Sequence, residues 1–183
     1  VKRRVIPDLF AALVHSIIGQ QISTKAHESI WQRTIDRFGD VTPDNIYQSL
    51  PMNFNRLAFL SGKLNIYAPP LKNESGEFDL NAFHEMSDDE VCARLSSLKG
   101  LGVWSAEMLM LFSMQRPDIL SFGDLAIQRG LRMIYHHRKI ERKLFEKYGG
   151  FFAVNSVASL YIWAVAGGAI EGMKDYAPKK KQK

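Results

Sequence analysis

Two glycines and one aspartate are the residues of this chain whose types and spacing point most directly to chemistry. Gly100 and Gly102 lie one residue apart between two apolar helical patterns, and Asp124 follows the second pattern. Glycines let a backbone turn tightly and approach a ligand closely, and the first N–H groups of the next helix, around 103–106, attract anions. An ordinary helical hairpin with a glycine C-cap has the same spacing. With Asp124 beside it, such an anion cradle is typical of a protein that binds a nucleic-acid backbone and performs chemistry near it.

Helical patterns surround these residues on the N-terminal side. Pro7 is placed to open a first helix, and Ser23 is placed to cap a second helix that stops at Gly39. Thr42-Pro43 has the cap-and-first-turn pattern of a third helix. A capping box, with Ser87 three residues before an acid, starts the helix that leads into the hairpin.

The C-terminal side is also helical. Asp124 opens a helix, which is a role that aspartate fills well and which would hold its carboxylate in place. Ile140–Tyr148 is a further short helix, and Asn155 or Ser156 caps a last long apolar helix. No alternating run is long enough for a strand. We therefore predict an all-α fold in a single domain, residues 1–183, with a basic tail at 178–183.

Composition bounds the class of protein and its partners. The chain has 183 residues, 46% of them hydrophobic, which is enough for one sizeable core. Its formal net charge of +5 allows a polyanionic partner. Cys92 is the only cysteine, so the chain has no internal disulfide, and we expect a reducing intracellular setting. No apolar run approaches the length of a membrane-spanning helix, and no signal peptide is expected.

Four segments, in order, resemble a known family. The run from Leu95 to Leu109 resembles the helix–hairpin–helix of base-excision DNA glycosylases. Asp124 lies 20 positions after Trp104, as in the alkylated-base branch, the 3-methyladenine DNA glycosylase II family. The other three segments are similar to that family's Gln-Gln segment, its catalytic loop and helix, and its terminal helix: IIGQQISTKAHESIW (Ile17–Trp31), GDLAIQRGLR (Gly123–Arg132) and NSVASLYIWAVAG (Asn155–Gly167).

The resemblance implies a fold and an activity. The fold would be a helical bundle of the helix–hairpin–helix glycosylase type, without the extra N-terminal β-domain of larger relatives. The enzyme would flip alkylated purines out of double-stranded DNA and hydrolyse their N-glycosidic bonds, 3-methyladenine first and 7-methylguanine as a further substrate. Asp124 would stabilise the oxocarbenium-like sugar and orient the attacking water. Trp104 stands where strand-cutting relatives carry a lysine, so the resemblance implies no AP lyase activity.

The resemblance also implies residues for the base and the DNA. Trp104, Tyr161 and Phe10 are candidates for the base pocket, although helical spacing makes Tyr161, Phe10 and Trp163 core candidates as well. Gln21 stands where the family's intercalating residue lies. The remaining candidates for DNA contact are Gln20, Ser23, Lys99, Gly100, Gly102 and Ser105.

Cofactors, partners and alternatives complete the prediction. We expect no cofactor other than a structural Na⁺ or K⁺ on the main-chain carbonyls of Ser96, Leu98 and Leu101. We expect a monomer, in the cytoplasm or nucleoid of a prokaryote or in a eukaryotic nucleus. The segment 59–71 departs from the family pattern, which leaves substrate range open. The alternatives are a non-catalytic helix–hairpin–helix DNA-binding module and a glycosylase for another purine lesion, hypoxanthine or ethenoadenine.

Overall fold

A computed structural model describes residues 5–20, 22–48, 79–98 and 100–178 of the chain. Within those ranges every regular element is helical, which confirms the predicted all-α class. One 3-10 helix spans Asn81–Glu85. The α-helices are α1 Leu9–Gly19, α2 Thr24–Phe38, α3 Pro43–Gln48, α4 Asp88–Ser96, α5 Val103–Phe112, α6 Leu125–Tyr135, α7 Arg142–Gly149 and α8 Asn155–Ala166.

Several helix boundaries follow directly from local side-chain chemistry. The Ser23 hydroxyl accepts the N–H of Ala26 at the start of α2, and α2 ends at Gly39 with φ +63°. The predicted capping box of α4 is present, because Ser87 and Glu90 satisfy each other's backbone N–H groups. These three predictions are confirmed. They could be made from sequence because each depends on neighbours no more than four residues away.

Two predicted helix starts are wrong. Helix α1 is capped by Asp8, whose carboxylate accepts the N–H of Ala11 at 2.7 Å, so Pro7 lies before the cap rather than inside the helix. Helix α8 has Val154 as its N-cap residue, without a side-chain cap. The hydroxyl of Ser156 is turned to distant backbone instead, donating to the Arg116 carbonyl and accepting the Ile119 N–H.

The chain divides into two compact units, and each is described by itself. The first, Val5–Met114, holds α1 to α5, with α5 packed against both α1 and α4 and with α2 against α1. Its fully buried side chains come from these contacts. They include Leu13, Ile17, Leu95, Leu109 and Met110. The two helices on either side of the hairpin, α4 and α5, therefore pack against each other.

The second unit begins at Gln115 and holds α6, α7 and α8. Helices α6 and α8 pack closely. A Cβ atom at Gly130 would lie only 2.5 Å from the carbonyl oxygen and from Cγ2 of Ile162, so only glycine lets the two backbones come this close. The core between the three helices is apolar and contains Ile127, Leu131, Ile140, Phe145, Tyr148 and Ile162.

Some expectations lie outside the described residues. These are the DNA contacts assigned to Gln21 and Lys99, the divergent segment 59–71 and all of the basic tail after Pro178. Among the helices that the structure does describe, none combines the length and apolar character needed to cross a bilayer.

Candidate active site

Asp124 lies at the N-cap of α6, as the sequence predicts. Its Oδ1 accepts the N–H groups of Ala126 and Ile127, both at 2.8 Å. The residue is 9% exposed, so the carboxylate lies at the edge of the core rather than out in solvent. A carboxylate anchored in this way has one orientation, which is what electrostatic stabilisation of a developing positive charge requires.

Trp163 holds the same carboxylate from the opposite helix. Its Nε1 donates to Asp124 Oδ1 at 3.1 Å, from the third turn of α8. The sequence predicts Trp163 only as a core candidate, and its contact with Asp124 is shown by the structure alone. The available signal is its place in the last segment of the family resemblance, whereas helical periodicity favours a core position for it.

The loop before Asp124 is fixed at Phe122. Gln128, in the first turn of α6, donates from Nε2 to the Phe122 carbonyl at 2.7 Å. The Phe122 ring meets Phe145 edge to face, with centroids 5.2 Å apart. Ser121, one residue earlier, is buried. The approach to Asp124 is therefore tied to both α6 and α7.

The hairpin of the first unit has the backbone form expected of an anion cradle. Gly100 has φ +91°, a conformation that side chains disfavour, and the buried Leu101 anchors the turn. Gly102 is the N-cap residue of α5, and no side chain caps this helix. A Cβ at Gly102 would meet nothing within 4 Å, so the space in front of the helix start is open. The phosphate role of these glycines stays a prediction.

Gln20 and Ser105, two of the predicted DNA contacts, bind each other. Gln20 Nε2 donates to the hydroxyl of Ser105 at 3.2 Å, and Ser105 is only 2% exposed. The Ser105 N–H donates to the Gly102 carbonyl at 2.9 Å. This pair therefore ties the segment after α1 to the start of α5. Ser23 is exposed at the cap of α2 and stays a candidate for DNA contact.

The three predicted pocket aromatics have different surroundings. Phe10 is buried within the core face of α1. Tyr161 is 59% exposed on α8, and Trp104 is half-buried in the first turn of α5. Their role toward a base stays a prediction.

The predicted cation site also stays a prediction. Of its three carbonyls, that of Leu98 accepts the N–H of Leu101 at 3.1 Å, and a carbonyl oxygen has a second lone pair for an ion. Within the described ranges no group of three or more His, Cys, Asp or Glu residues could hold a metal.

The chain is similar to known DNA-3-methyladenine glycosylases in both sequence and fold. No protein-family model matches the chain. The crystal structure of a DNA-3-methyladenine glycosidase from Bacillus halodurans superposes with a TM-score of 0.73 at 30% identity, over 96% of this chain and 83% of that one. The chain belongs to the 3-methyladenine DNA glycosylase family. DNA-3-methyladenine glycosylase 1 of Schizosaccharomyces pombe is 27% identical over 93% of this chain and 78% of its own length.

A second solved structure places this glycosylase in the same fold. The 3-methyladenine DNA glycosylase Mag1 of Schizosaccharomyces pombe, in complex with abasic DNA, has a TM-score of 0.71 at 22% identity, over 90% of this chain and 84% of that one. Both structures confirm the predicted helix–hairpin–helix glycosylase fold, and the structure from Bacillus halodurans confirms the family. In this glycosylase the cap of α6 lies in the segment Gly123–Arg132, and the start of α5 lies in the segment from Leu95 to Leu109. Both segments resemble the family in sequence.

Proposed function

We propose that the chain is a monofunctional DNA glycosylase that hydrolyses the N-glycosidic bond of alkylated purines in double-stranded DNA, with 3-methyladenine first and 7-methylguanine as a further substrate. The observation that carries the proposal is the carboxylate of Asp124, held by the N–H groups of Ala126 and Ile127 and by the indole of Trp163. A single anchored carboxylate suits a substrate whose base is already cationic and departs easily.

The chemistry balances without a cofactor. The bond between C1′ and the base nitrogen breaks, and its electron pair leaves with the base, which neutralises the cationic purine. The sugar becomes oxocarbenium-like, and Asp124 stabilises that charge. A water oxygen then bonds to C1′, and its proton passes to the carboxylate or to solvent. The product is an abasic site in an uncut strand.

The absence of strand cleavage in this proposal rests on Trp104. A lyase forms a Schiff base between an amine and the sugar C1′. An indole nitrogen cannot do this, and Trp104 occupies the position at which the resemblance implies lysine in strand-cutting relatives. The same electron-rich ring, half-buried at the start of α5, is suited to stack on a flipped cationic base. We expect the enzyme to act as a monomer.

The test is release of free bases from methylated duplex DNA. Wild type is expected to release 3-methyladenine and 7-methylguanine and to leave the strand intact until alkali is added. Asp124→Asn retains a cap oxygen but removes the charge, and it should abolish release without loss of fold. Glu171→Gln, at an exposed acid of the same unit, is the matched control and should behave as wild type.

Each contrary result has a defined meaning. Unchanged release by Asp124→Asn would refute the mechanism. Binding to damaged DNA without release of any base would favour the non-catalytic module. Duplexes that carry hypoxanthine or ethenoadenine are assayed in parallel, and release from these duplexes alone would keep the glycosylase and replace its substrate.

A further inference from the structure

Arg142 makes a contact that the mechanism above does not use. Its guanidinium carbon lies 4.3 Å from the centroid of the Phe122 ring, within the range of a cation–π interaction. Phe122 is two residues before Asp124, so consecutive Cα spacing keeps their Cα atoms within about 7.6 Å. The first turn of α7 thus places a cation against the loop that leads to Asp124.

The charge of Arg142 is not balanced locally. Among the residues that the structure describes, no carboxylate lies within 4 Å of its guanidinium, and the residue is exposed. By contrast, Arg132 in the same unit is bonded by two hydrogen bonds to Asp175. The sequence around Arg142 has an excess of positive charge, because two exposed acids, Glu141 and Glu146, lie within five residues of it against four further exposed cations, and Glu141 is paired with Lys139. The exposed cations in the same range are Arg138, Lys139, Lys143 and Lys147.

Phe122, on which Arg142 lies, is held by a ring contact and by a hydrogen bond. Phe122 is packed against Phe145 in the core of the unit, and its carbonyl accepts from Gln128. A guanidinium that rests on such a ring loses less conformational entropy on binding an anion than a freely moving side chain does. Its N–H groups can reach a phosphate in the fork geometry that arginine provides.

We propose that Arg142 binds a backbone phosphate of the lesion-bearing DNA strand, next to the nucleotide whose sugar faces Asp124. This inference rests on the proposed function, because that function places a deoxyribose at Asp124. The phosphates flanking a sugar are its nearest anions, and the exposed guanidinium of Arg142 lies on the ring of Phe122, two residues before Asp124. Arg142 would act in binding and not in the bond-breaking step.

The test measures binding to a duplex with a tetrahydrofuran abasic-site analogue as a function of KCl concentration. One lost phosphate contact lowers the slope of log K against log salt by about 0.9 and raises Kd about eightfold at 0.1 M salt. Arg142→Gln should show both changes, while its single-turnover rate at saturating enzyme stays close to wild type. Arg142→Lys keeps the charge and should retain the slope with weaker binding.

The matched control is Arg33→Gln. Arg33 is an exposed arginine of α2 that donates to Ser29, so the control variant has the same net charge as Arg142→Gln. Its slope should equal that of wild type. An unchanged slope in Arg142→Gln would overturn the proposal. If the melting temperature and the rate of base release fell while the slope stayed unchanged, Arg142 would be a packing residue only.

The two proposals fail in different ways. If no base is released but the slope falls in Arg142→Gln, the phosphate site stands in a DNA-binding protein. If base release depends on Asp124 but the slope is unchanged, the glycosylase stands and only the phosphate site is refuted.

Discussion

Trp163 and Asp124 are joined across 39 residues by a hydrogen bond of 3.1 Å from the indole Nε1 to the carboxylate Oδ1. That oxygen also accepts the N–H groups of the second and third residues of α6. The carboxylate is therefore held by its own helix and by the helix packed against it. Trp163 is a positioning residue in the proposed reaction, because it acts through Asp124.

We expect Trp163→Phe to slow base release about 10- to 100-fold. A hydrogen bond to a charged group contributes about 1.5–3 kcal/mol, and each 1.4 kcal/mol in the barrier is about tenfold in rate. The measurement is a single-turnover rate together with Kd for an abasic-site duplex. The rate should fall while Kd stays near wild type.

Val157→Ala is the control for this variant, since Val157 is 47% exposed on the same helix. It should leave both quantities unchanged. Equal losses of rate and affinity in Trp163→Phe would contradict a positioning role and indicate general damage to the site.

The close approach of α6 and α8 at Gly130 should be sensitive to one methyl group. Gly130→Ala forces a Cβ against the backbone oxygen of Ile162 at 2.5 Å, and overpacking of this kind costs about 1–3 kcal/mol. We expect a lower melting temperature and slower base release, because the shift also moves Trp163 away from Asp124.

Gly149→Ala provides the comparison in the same unit. The nearest atom to a Cβ at Gly149 is Leu120 Cδ2 at 3.6 Å, an ordinary contact, and Gly149 ends a helix in which alanine is favoured. A melting temperature of Gly130→Ala equal to that of Gly149→Ala would show that the helices can separate without cost.

The sequence predicts local features of this protein better than distant ones. The caps at Ser23, Ser87 and Asp124 were predictable because donor and acceptor lie within three residues of each other. The contact of Trp163 with Asp124 depends on how closely two helices pack, and periodicity shows only which face of a helix is apolar. The predicted cap at Ser156 is wrong for the same reason, since its hydroxyl binds backbone about 40 residues away.

The pair of Gln20 and Ser105 should be energetically coupled. A neutral hydrogen bond contributes about 0.5–1.5 kcal/mol, and a double-mutant cycle isolates that coupling. We expect Gln20→Ala and Ser105→Ala to destabilise the fold less in combination than their separate effects predict. Urea unfolding of the four proteins measures this, and strictly additive effects would show that the bond contributes nothing to stability.

The ion pair of Arg132 and Asp175 should make stability depend on acid pH. The hydrogen bonds from Arg132, at 2.6 and 2.7 Å, hold the pKa of Asp175 below its ordinary value of 3.8. A carboxyl group whose pKa is lowered by folding stabilises the fold while it is ionised. This contribution is fully present above pH 3.8 and is lost as the pH falls through the lowered pKa.

The measurement is the free energy of unfolding of wild type and Asp175→Asn across the acid range. Wild type should be more stable at neutral pH by an amount that stays constant down to the ordinary pKa and then declines. A difference that grows on acidification would have the wrong sign for this pair. Glu171→Gln, at an exposed acid, should show no such profile.

We expect the cap at the start of α6 to open at a lower temperature than the core of its unit. Helix ends open at lower free energy than the core of a domain, and the bonds that orient Asp124 belong to the first turn of its helix. Fraying of that single turn would leave the carboxylate with the bond from Trp163 alone, while Leu131, Ile140 and Ile162 remain packed. Heat should therefore inactivate this protein reversibly, at temperatures where it is still folded.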